Sequence, residues 1–499
     1  MRERLLHDLL DRRAKLSPTK VADAAGEKSW TYGELRQASL VMQGFLTTFG
    51  VGRGDRVLVL ASANPQALAL AHACSRVGAI YVPVSPGLKA FQLKMIATDC
   101  SPALVIVDAA TSGQAEQAAP ELPRVHIDEL VTYRSKYSLQ DRPGPISQDP
   151  IFLIYTSGST GSPKGVISTH AQVIFSAQAI QARLNYKAAD VILNTLPLSF
   201  DYGLYQSFLA TLAGATLCLE PRESIGPALM AALRRTRATV LPCVPSLAQV
   251  LRMCVLREGA PPEHLRMITN TGAAFSPTLA SELTSLIPGL AVVRMFGLTE
   301  CKRVAIMPTG HLDRKRDSVG YPLDDVECFI VNDDGTRLPP GEVGELVVRG
   351  PNVMAGYWNA PDLTRERFRR NEFGETHLYT GDLCHLDEDG YLYHHGRRDD
   401  QYKENGTRVS AAELEIAALD ILGVSQAAAL PPTSHTKSCL VVVGNEELSI
   451  PYVQAQLRER LERDKLPKDI VIVDSLPLTI NGKIDKKALR ERLVPAREN

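Results

Sequence analysis

Short β-branched runs alternate with helical stretches from the N-terminus to about residue 330. The runs include residues 56–60, 104–107 and 151–155, and amphipathic stretches such as 32–49 and 224–235 lie between them. This alternation constrains the fold strongly, because a helix that crosses between neighbouring strands makes those strands parallel. We therefore predict a large N-terminal α/β domain built from layers of helices and largely parallel sheets.

The pattern changes near residue 327. Asp-Gly pairs at 334–335 and 389–390 separate extended runs such as 343–348. An Asp-Gly pair between extended runs is a strong hairpin signal. We predict a β-rich subdomain over residues 327–396, which completes an N-terminal domain of residues 1–396.

A charged segment, Gly-Arg-Arg-Asp-Asp, begins at Gly396 and precedes a different arrangement. Helical patterns at 411–419 and 451–463 and an apolar run at 439–443 predict a small α+β C-terminal domain of residues 397–499. We expect the boundary between the two domains near Asp399.

The composition argues against several classes of function. The 499 residues carry a formal net charge of −1, whereas surfaces that bind nucleic acid or anionic membranes need an excess of Lys and Arg. No apolar stretch approaches the roughly 20 residues of a membrane span. The nine cysteines are scattered singly, which suits a reducing cytoplasm and gives no zinc-ligand spacing.

The segment Tyr-Thr-Ser-Gly-Ser-Thr-Gly-Ser-Pro-Lys-Gly at 155–165 combines hydroxyls, glycines and one lysine directly after an apolar run. Glycines let the backbone bend towards a ligand, and N–H groups and hydroxyls can surround phosphate oxygens. The P-loop spacing is absent. A flexible Ser/Gly linker is the alternative, but the position after a buried strand favours a phosphate-binding loop.

This segment closely resembles the phosphate-binding loop of the adenylate-forming superfamily, which includes acyl-CoA synthetases, luciferases and the adenylation domains of nonribosomal peptide synthetases. The resemblance extends over nearly the whole chain in the family's order. The matching segments are two early structural motifs at 32–35 and 78–83, an adenine and magnesium motif at 296–300, a ribose motif at 379–382, a hinge at 396–399 and a C-terminal lysine motif at 481–483.

The resemblance implies that the protein binds ATP and Mg²⁺. Phe296 would stack on adenine, where the family more often has tyrosine, Glu300 would hold Mg²⁺, and Asp382 would accept the ribose hydroxyls. An ordinary turn aspartate is the alternative for Asp382. The full set of implied nucleotide-binding residues is Thr156, Ser157, Gly158, Ser159, Thr160, Gly161, Lys164, Phe296, Gly297, Thr299, Asp382, Arg397 and Lys483.

Lys483 is the implied catalytic cation, with Glu300 and Thr156 as further catalytic residues. A lysine at the transferring phosphoryl group stabilises the negative charge that accumulates when a carboxylate attacks the α-phosphate. The alternative is a solvated lysine in a basic run that also contains Lys486 and Lys487.

The acid-binding residues are implied at Phe200, Asp201 and Gly272. Phe200 matches the family's gating aromatic, and an aspartate after it pairs with the ammonium group in amino-acid-activating members. A buried carboxylate needs a cation, which a substrate amine, an internal Arg or Lys, or water would satisfy. The basic pair Lys302-Arg303 could meet a carboxylate or phosphate of the substrate or cofactor, or could sit at a solvated strand end. A small amino acid such as proline is one candidate substrate.

Residues 403–410 resemble the family's thioester-forming loop, in which Lys403 and Gly406 would meet the acceptor thiol after rotation about Asp399. No carrier-protein attachment serine is recognisable, so we expect the phosphopantetheine of a separate carrier protein, or coenzyme A, to accept the acyl group. The leading hypothesis is a freestanding enzyme that adenylates an amino acid. An acyl-CoA synthetase for an aryl or aliphatic acid and a nucleotide-binding protein without catalysis are the alternatives.

Overall fold

The computed structural model describes residues 3–25, 28–132, 144–157, 163–221, 227–272, 275–311, 314–398, 401–404, 407–433, 436–461, 465–479 and 482–493. Strands and helices are numbered in chain order.

A nine-stranded sheet forms one layer of the N-terminal region. Its spatial order is β15 (Tyr321–Pro322), β14 (Ala305–Ile306), β13 (Ala291–Phe296), β12 (Met267–Asn270), β11 (Val240–Cys243), β9 (Val191–Asn194), β10 (Thr216–Leu219), β1 (Val21–Ala25) and β2 (Lys28–Thr31). The strands from β13 to β1 pair in parallel, and antiparallel strands close both ends.

A six-stranded sheet forms the second layer. Its order is β6 (Arg124–His126), β5 (Leu104–Val107), β3 (Arg56–Leu60), β4 (Ile80–Pro83), β7 (Pro150–Ser157) and β8 (Pro163–Thr169). All neighbours are parallel except β7 and β8, which form an antiparallel hairpin. The two layers confirm the predicted α/β architecture with largely parallel sheets.

Helices cover both sheets; most bury their apolar faces in one extensive core, whereas α4 and α5 pack in a second cluster on the six-stranded sheet. In the N-terminal region they are α1 (Leu6–Leu16), α2 (Tyr32–Thr48), α3 (Pro65–Val77), α4 (Ala90–Cys100), α5 (Ser112–Ala118), α6 (Ile127–Thr132), α7 (His170–Leu184), α8 (Asp201–Ala213), α9 (Pro227–Thr236), α10 (Pro245–Glu258), α11 (Pro277–Leu286) and α12 (Pro361–Arg367).

The motif at 32–35 starts helix α2 and fixes it to the core. Thr31 Oγ1 accepts a hydrogen bond from the Glu34 N–H at 3.2 Å, and the Glu34 carboxylate accepts one from the Thr31 N–H at 2.7 Å. This reciprocal capping satisfies N–H groups that have no partner inside the helix. The buried Tyr32 hydroxyl donates to the Ala215 carbonyl at 2.7 Å.

A five-stranded antiparallel sheet follows. It consists of β16 (Glu327–Val331), β17 (Gly344–Arg349), β18 (Phe368–Arg370), β19 (Thr376–Leu386) and β20 (Leu392–Arg397). Gly390 adopts a φ of 80° in the turn between β19 and β20, a conformation that favours glycine. The predicted antiparallel strand at 343–348 and the hairpin at 389–390 are confirmed.

The C-terminal region has its own core, which includes Leu414, Val453 and Leu457. Its elements are β21 (Gln401–Glu404), β22 (Thr407–Ser410), α13 (Ala411–Leu419), β23 (Val424–Leu430), β24 (Cys439–Gly444), α14 (Ile450–Arg460), β25 (Asp469–Ile472) and α15 (Lys486–Leu493).

The sequence predicted two helices and one strand in this region. The helix at 411–419 and the strand beginning at Cys439 are confirmed. The helix expected over 451–463 ends at Arg460, because Leu461 already has extended dihedral angles (φ −132°, ψ 149°) while its side chain still packs on the same core. Residues 462–464 lie outside the described residues.

Among the described residues, no helix combines the length and the apolar character that crossing a bilayer would require.

Candidate active site

A cavity of about 1050 Å³ lies where the two-layered region, the five-stranded sheet and the C-terminal region meet. The ends of β12 and β13, the strands β19 and β20, and helix α13 all contribute to its walls. Parallel strands of α/β sheets characteristically place ligand sites at such crevices beyond their carboxyl ends. Most of the residues expected to bind nucleotide border this one space.

The hairpin of β7 and β8 presents Thr156 and Lys164 to the cavity. The two residues are directly opposed across the hairpin. Of the other predicted loop residues, Ser157 ends β7, and Gly158, Ser159, Thr160 and Gly161 lie outside the described residues. The two strands that flank the predicted loop therefore each contribute a residue to the cavity wall, Thr156 and Lys164.

Tyr357 connects Lys164 to Glu300. The Lys164 ammonium lies 6.0 Å from the centre of the Tyr357 ring, and the Tyr357 hydroxyl donates to Glu300 Oε1 at 2.7 Å. Burial, together with the neighbouring Glu300 charge, raises the pKa of Tyr357 above its ordinary value. Tyr357 thus stays a neutral donor that fixes the carboxylate.

Glu300 has the chemistry to hold Mg²⁺. Its carboxylate lines the cavity, and among the described residues only Tyr357 forms a hydrogen bond with it, through one of the two oxygens. Thr299 lines the same wall. Mg²⁺ prefers hard oxygen ligands and keeps several waters, so one free carboxylate oxygen fits it.

Asp382 and Arg397 are cross-strand partners on β19 and β20. Asp382 Oδ1 accepts a hydrogen bond from His394 Nε2 at 3.1 Å, whereas Oδ2 is buried without a partner among the described residues. A buried carboxylate oxygen without a donor is costly. The free oxygen therefore fits a hydroxyl donor such as that of ribose. An ordinary turn aspartate would be exposed, whereas Asp382 is buried.

Phe296 ends strand β13 and contacts His394, a residue that the sequence did not single out. Their ring centres are 5.0 Å apart with an angle of 37° between the planes. His394 thus touches both the residue expected to stack on adenine and the carboxylate expected to bind ribose. The predicted hairpin at Gly390 could have indicated this contact. Counting strand pairs away from that turn places His394 opposite Cys384, two residues from Asp382.

Lys483 reaches the cavity from the C-terminal region. Its ammonium lies 5.8 Å from the centre of the Phe200 ring. A Cβ atom added to Gly272 would lie 3.3 Å from Lys483 Cε and 3.5 Å from Phe200 Cζ. Lys483, which is more than 200 positions from the other two residues in sequence, therefore forms one contact with them.

The charge state of Lys483 depends on its surroundings. Lys483 is an exposed residue that lines the cavity, and the protein that surrounds the cavity withdraws its ammonium from bulk solvent. Burial lowers the pKa of Lys483, and the positive charge of Arg397 lowers it further, while Asp201 and Glu300 oppose both effects. Lys483 thus lies at the cavity, as the resemblance implies, and its catalytic role stays a prediction.

The C-terminal region is held in this orientation by contacts away from the cavity centre. The Thr278 hydroxyl donates to Asp420 Oδ1 at 2.7 Å, and Arg460 Nε donates to Asp420 Oδ2 at 3.1 Å. The Ser246 hydroxyl donates to the Gly482 carbonyl at 3.3 Å, next to Lys483. The bonds of Thr278 and Ser246 join α11 and α10 to the C-terminal region, and the bond from Arg460 fixes Asp420 within that region.

The acid-binding end of the site begins at Phe200, which precedes α8, and Asp201 is the first residue of that helix. Lys302 Nζ lies 3.8 Å from Asp201 Oδ2, an ion-pair distance beyond hydrogen-bond reach. The internal-cation alternative for Asp201 therefore has a candidate in Lys302. Lys302 and Arg303 are only 4% and 6% exposed, so the solvated strand end considered for them is wrong.

Gly297 is required by packing at this end. A Cβ atom there would lie 2.1 Å from the Lys302 carbonyl oxygen, so no side chain fits. Gly297 also lines the cavity, and its backbone is available to a ligand.

The structure describes the residues predicted for thiol transfer only in part. Asp399 and Gly406 lie outside the described residues, and Lys403 is described only as part of β21, opposite Arg408 on β22.

Comparison with known proteins agrees with this geometry. Residues 10–358 match the family described as AMP-binding enzyme. Tyrocidine synthase 3 from Brevibacillus parabrevis is 30% identical over 498 residues, which are 98% of this chain but 8% of that protein. Feruloyl-CoA synthase from an Amycolatopsis species is 32% identical over 493 residues, with 96% of this chain and 97% of that protein covered.

Among solved structures, VinN in complex with L-aspartate shares 39% sequence identity. Its TM-score is 0.71, and the match covers 79% of this chain and 98% of that chain. The chain belongs to the AMP-binding enzyme family. It is an adenylate-forming enzyme of the AMP-forming ligase class, with a large N-terminal α/β domain and a small C-terminal domain.

Proposed function

We propose that this enzyme activates an amino acid as its aminoacyl-adenylate and transfers it to the phosphopantetheine thiol of a separate carrier protein. The contact of Lys483 with Phe200 and Gly272 carries the proposal. It brings a cation from the C-terminal region to the border between the nucleotide-binding residues and Asp201, which is where an acid and an α-phosphate would have to meet.

In the first step, a carboxylate oxygen of the acid attacks the α-phosphorus, the bond from phosphorus to the bridging oxygen breaks, and pyrophosphate leaves. Lys483 stabilises the negative charge that accumulates on the transferring group and orients both reactants. Thr156 and Lys164 bind phosphate oxygens, Phe296 and Asp382 hold the nucleoside, and Arg397 supports it. Mg²⁺ bound at Glu300 would neutralise phosphate charge.

In the second step, the thiol loses its proton to solvent, its sulfur attacks the acyl carbon, and AMP leaves. We propose that the C-terminal domain, residues 397–499, first rotates about Asp399, which removes Lys483 and brings Lys403 and Gly406 to the site. The bond between Thr278 and Asp420 would have to break during this rotation. Rotation about a short hinge is an ordinary domain motion.

Asp201 supports an amino acid as substrate. It is almost fully buried beside Phe200, and a substrate ammonium placed between Asp201 and the cavity would add the close hydrogen-bonding cation that Lys302 does not supply at 3.8 Å. The solved complex of VinN with L-aspartate is a related protein with an amino acid bound.

The alternative is an acid without an amine, with coenzyme A as acceptor. The proximity of Lys302 to Asp201 favours it, because Asp201 then has a permanent counter-ion. Feruloyl-CoA synthase is a relative with that kind of acceptor in its name.

Exchange of labelled pyrophosphate into ATP, measured across the proteinogenic amino acids and a set of simple acids, tests the substrate class. Asp201→Asn should lower exchange with the preferred amino acid by about 100-fold, since a charge-assisted bond is lost, and leave the KM for ATP unchanged. The exposed Asp128→Asn is the matched control. Exchange with non-amino acids alone, or wild-type exchange in Asp201→Asn, would refute the role of Asp201.

The acceptor is tested by offering the loaded enzyme coenzyme A and a set of phosphopantetheinylated carrier proteins in parallel. Acylation of a carrier with little acyl-CoA formed is the expected result, and the reverse would assign the enzyme to the acyl-CoA synthetases. The cytoplasmic location expected from the sequence stays a prediction.

A further inference from the structure

We propose that the substrate carries a second carboxylate, remote from the one that is adenylated, and that Lys302 and Arg303 bind it. This inference deepens the proposed function and rests on it for the position of the acid. For an amino acid substrate, the class is the amino dicarboxylic acids.

The first observation is an excess of buried positive charge. Asp201, Lys302 and Arg303 are 9%, 4% and 6% exposed, so one carboxylate shares this site with two cations. Lys302 Nζ and Arg303 Nε are both buried without a hydrogen-bond partner among the described residues. A buried cation without a hydrogen-bonded anion is strongly unfavourable, and such groups in a native site call for a partner.

Burial has the same effect on both cations. It is the largest influence on each and lowers the pKa of Lys302 and of Arg303, while the negative charge of Asp201 opposes it in both cases. Asp201 alone does not cancel the effect. An added anion would favour the charged form of both groups.

Besides Asp201, which lies 3.8 Å from Lys302 Nζ, and Glu300, whose charge also acts on Lys302, each cation has an aromatic ring as a neighbour. Lys302 Nζ lies 5.9 Å from the centre of the Tyr205 ring, and the Arg303 guanidinium lies 5.4 Å from that of Tyr202. Cation–π contacts at these distances recover only part of the lost hydration. In the proposed subsite, the two rings would lie beside the carboxylate that the cations bind.

The backbone that carries the cations is fixed in place. Asn352 Nδ2 donates to the carbonyls of Cys301 and Arg303 at 3.1 and 3.0 Å, and Lys302 has a φ of 56°. A positive φ is uncommon for a residue with a side chain and marks a conformation imposed by its surroundings. The segment therefore directs both side chains inwards at a conformational cost.

The position of the cations separates them from the phosphate end. Arg303 Nη1 donates to Thr271 Oγ1, and Thr271 precedes Gly272, the residue beside Lys483 and Phe200. The hairpin residues Thr156 and Lys164 are grouped instead with Tyr357 and Glu300. An acid with its reacting carboxylate at Lys483 would extend along Phe200 towards Arg303, so a substrate carboxylate is the anion that fits rather than a phosphate of ATP.

The second carboxylate could belong to an amino dicarboxylic acid or to a dicarboxylic acid without an amine. Proline, the candidate named from the sequence, has none. A matched panel for pyrophosphate exchange separates these cases: aspartate, asparagine and isoasparagine, with succinate and succinamate as the amine-free pair, and the corresponding five-carbon compounds.

The expected result is that aspartate or glutamate exceeds both of its mono-amides, or succinate or glutarate its single mono-amide, by about 100-fold or more in kcat/KM, because an amide cannot replace a carboxylate between two buried cations. Using both mono-amides makes the result independent of which carboxylate is adenylated. Mono-amides or neutral amino acids as good as the diacid would overturn the inference while leaving the proposed function intact. Activity with succinate or glutarate but no amino acid would support the inference and overturn the amino acid as substrate, and no exchange with any acid would overturn both.

The variant Arg303→Met tests the residue itself. It should lower kcat/KM for the diacid by about 100-fold and leave the mono-amides within about threefold of the wild type, so that selectivity disappears. Arg303→Lys should restore part of that selectivity, and ATP binding to each variant, measured directly, verifies the fold. An equal loss for diacid and mono-amide would mean that Arg303 is structural and would overturn its assignment; should Arg303→Met fail to fold, the wild-type panel decides alone.

Discussion

The nucleotide end and the acid end of the proposed site have opposite electrostatic requirements. At the nucleotide end, Asp382 and Glu300 each keep a carboxylate oxygen that is not hydrogen-bonded by the described residues, and the other oxygen of each is bonded to His394 or Tyr357. At the acid end, the groups without partners are the cations Lys302 and Arg303. The first end has acceptors ready for hydroxyls and a metal ion, and the second has donors ready for an anion.

This difference separates what is general to the enzyme class from what belongs to this chain. Residues of the nucleotide end lie in segments that resemble the family's motifs. The buried basic pair lies immediately after one of those segments, outside it. Predictions about the two ends should therefore be separable by measuring ATP and acid dependence independently.

The largest effect is expected for Lys483→Ala, because Lys483 lies where both ends meet. Loss of a preorganised cation should lower the rate of adenylation by about 100-fold to 1000-fold. Transfer of the acyl group from supplied acyl-adenylate to the thiol should stay close to the wild-type rate, if the lysine leaves the site before that step. Lys487→Ala, in the neighbouring basic run, is the matched control, and equal loss of both half-reactions would contradict the proposed rotation.

A smaller effect, confined to the nucleotide end, is expected for Asp382→Asn. The amide retains the shape but loses the charge and one acceptor, which should raise the KM for ATP by about 10-fold to 100-fold. The KM for the acid should stay unchanged. The substitution Asp201→Asn should do the reverse, so a variant that changed both constants equally would show that the two ends do not act separately.

The pH dependence of adenylation provides a third measurement at the meeting point. Lys483 acts in its protonated form, and burial lowers its pKa below the ordinary value for lysine. Protonation is complete below that lowered pKa and is lost as the pH rises through it, so kcat/KM should fall about tenfold per pH unit on an alkaline limb that begins earlier than for a free lysine.

The same limb should be absent from transfer of supplied acyl-adenylate. In Lys483→Arg, any remaining adenylation should also lack it, because arginine stays charged. An alkaline limb shared by both half-reactions would assign it to another group.

Much of this arrangement could be predicted from sequence, where the determining interactions are local. Helix α2 follows from its apolar spacing and from Thr31 and Glu34, and β17 follows from an alternating run between turn signals. The burial of Lys302 and Arg303 could not be predicted in the same way. It depends on the close approach of Gly297 and on Asn352, which is about 50 residues away in sequence.

The site shows the same limit. The segments that contain Glu300 and Asp382 are recognisable, but their partners Tyr357 and His394 come from other strands and loops. The contact between Lys483 and Phe200 requires a particular orientation of the C-terminal region, which no local pattern specifies. Sequence therefore indicated the groups of the site, and packing over long separations decided their partners.

The smallest effect is expected at Phe296, where the family more often has tyrosine. The ring already packs at 5.0 Å from His394, so an added hydroxyl in Phe296→Tyr should change the KM for ATP by no more than about threefold. Phe296→Leu retains apolar area but loses the aromatic face, and should raise that KM by about threefold to tenfold, equivalent to roughly 0.5–1.5 kcal/mol.

Comparing the two variants tests whether stacking or a phenol hydrogen bond holds the adenine, since leucine removes the aromatic ring and tyrosine keeps the ring and adds a hydroxyl. A tyrosine variant that tightened ATP binding more than tenfold would mean that the nucleotide end of this chain lacks a bond that its resemblance to the family implies.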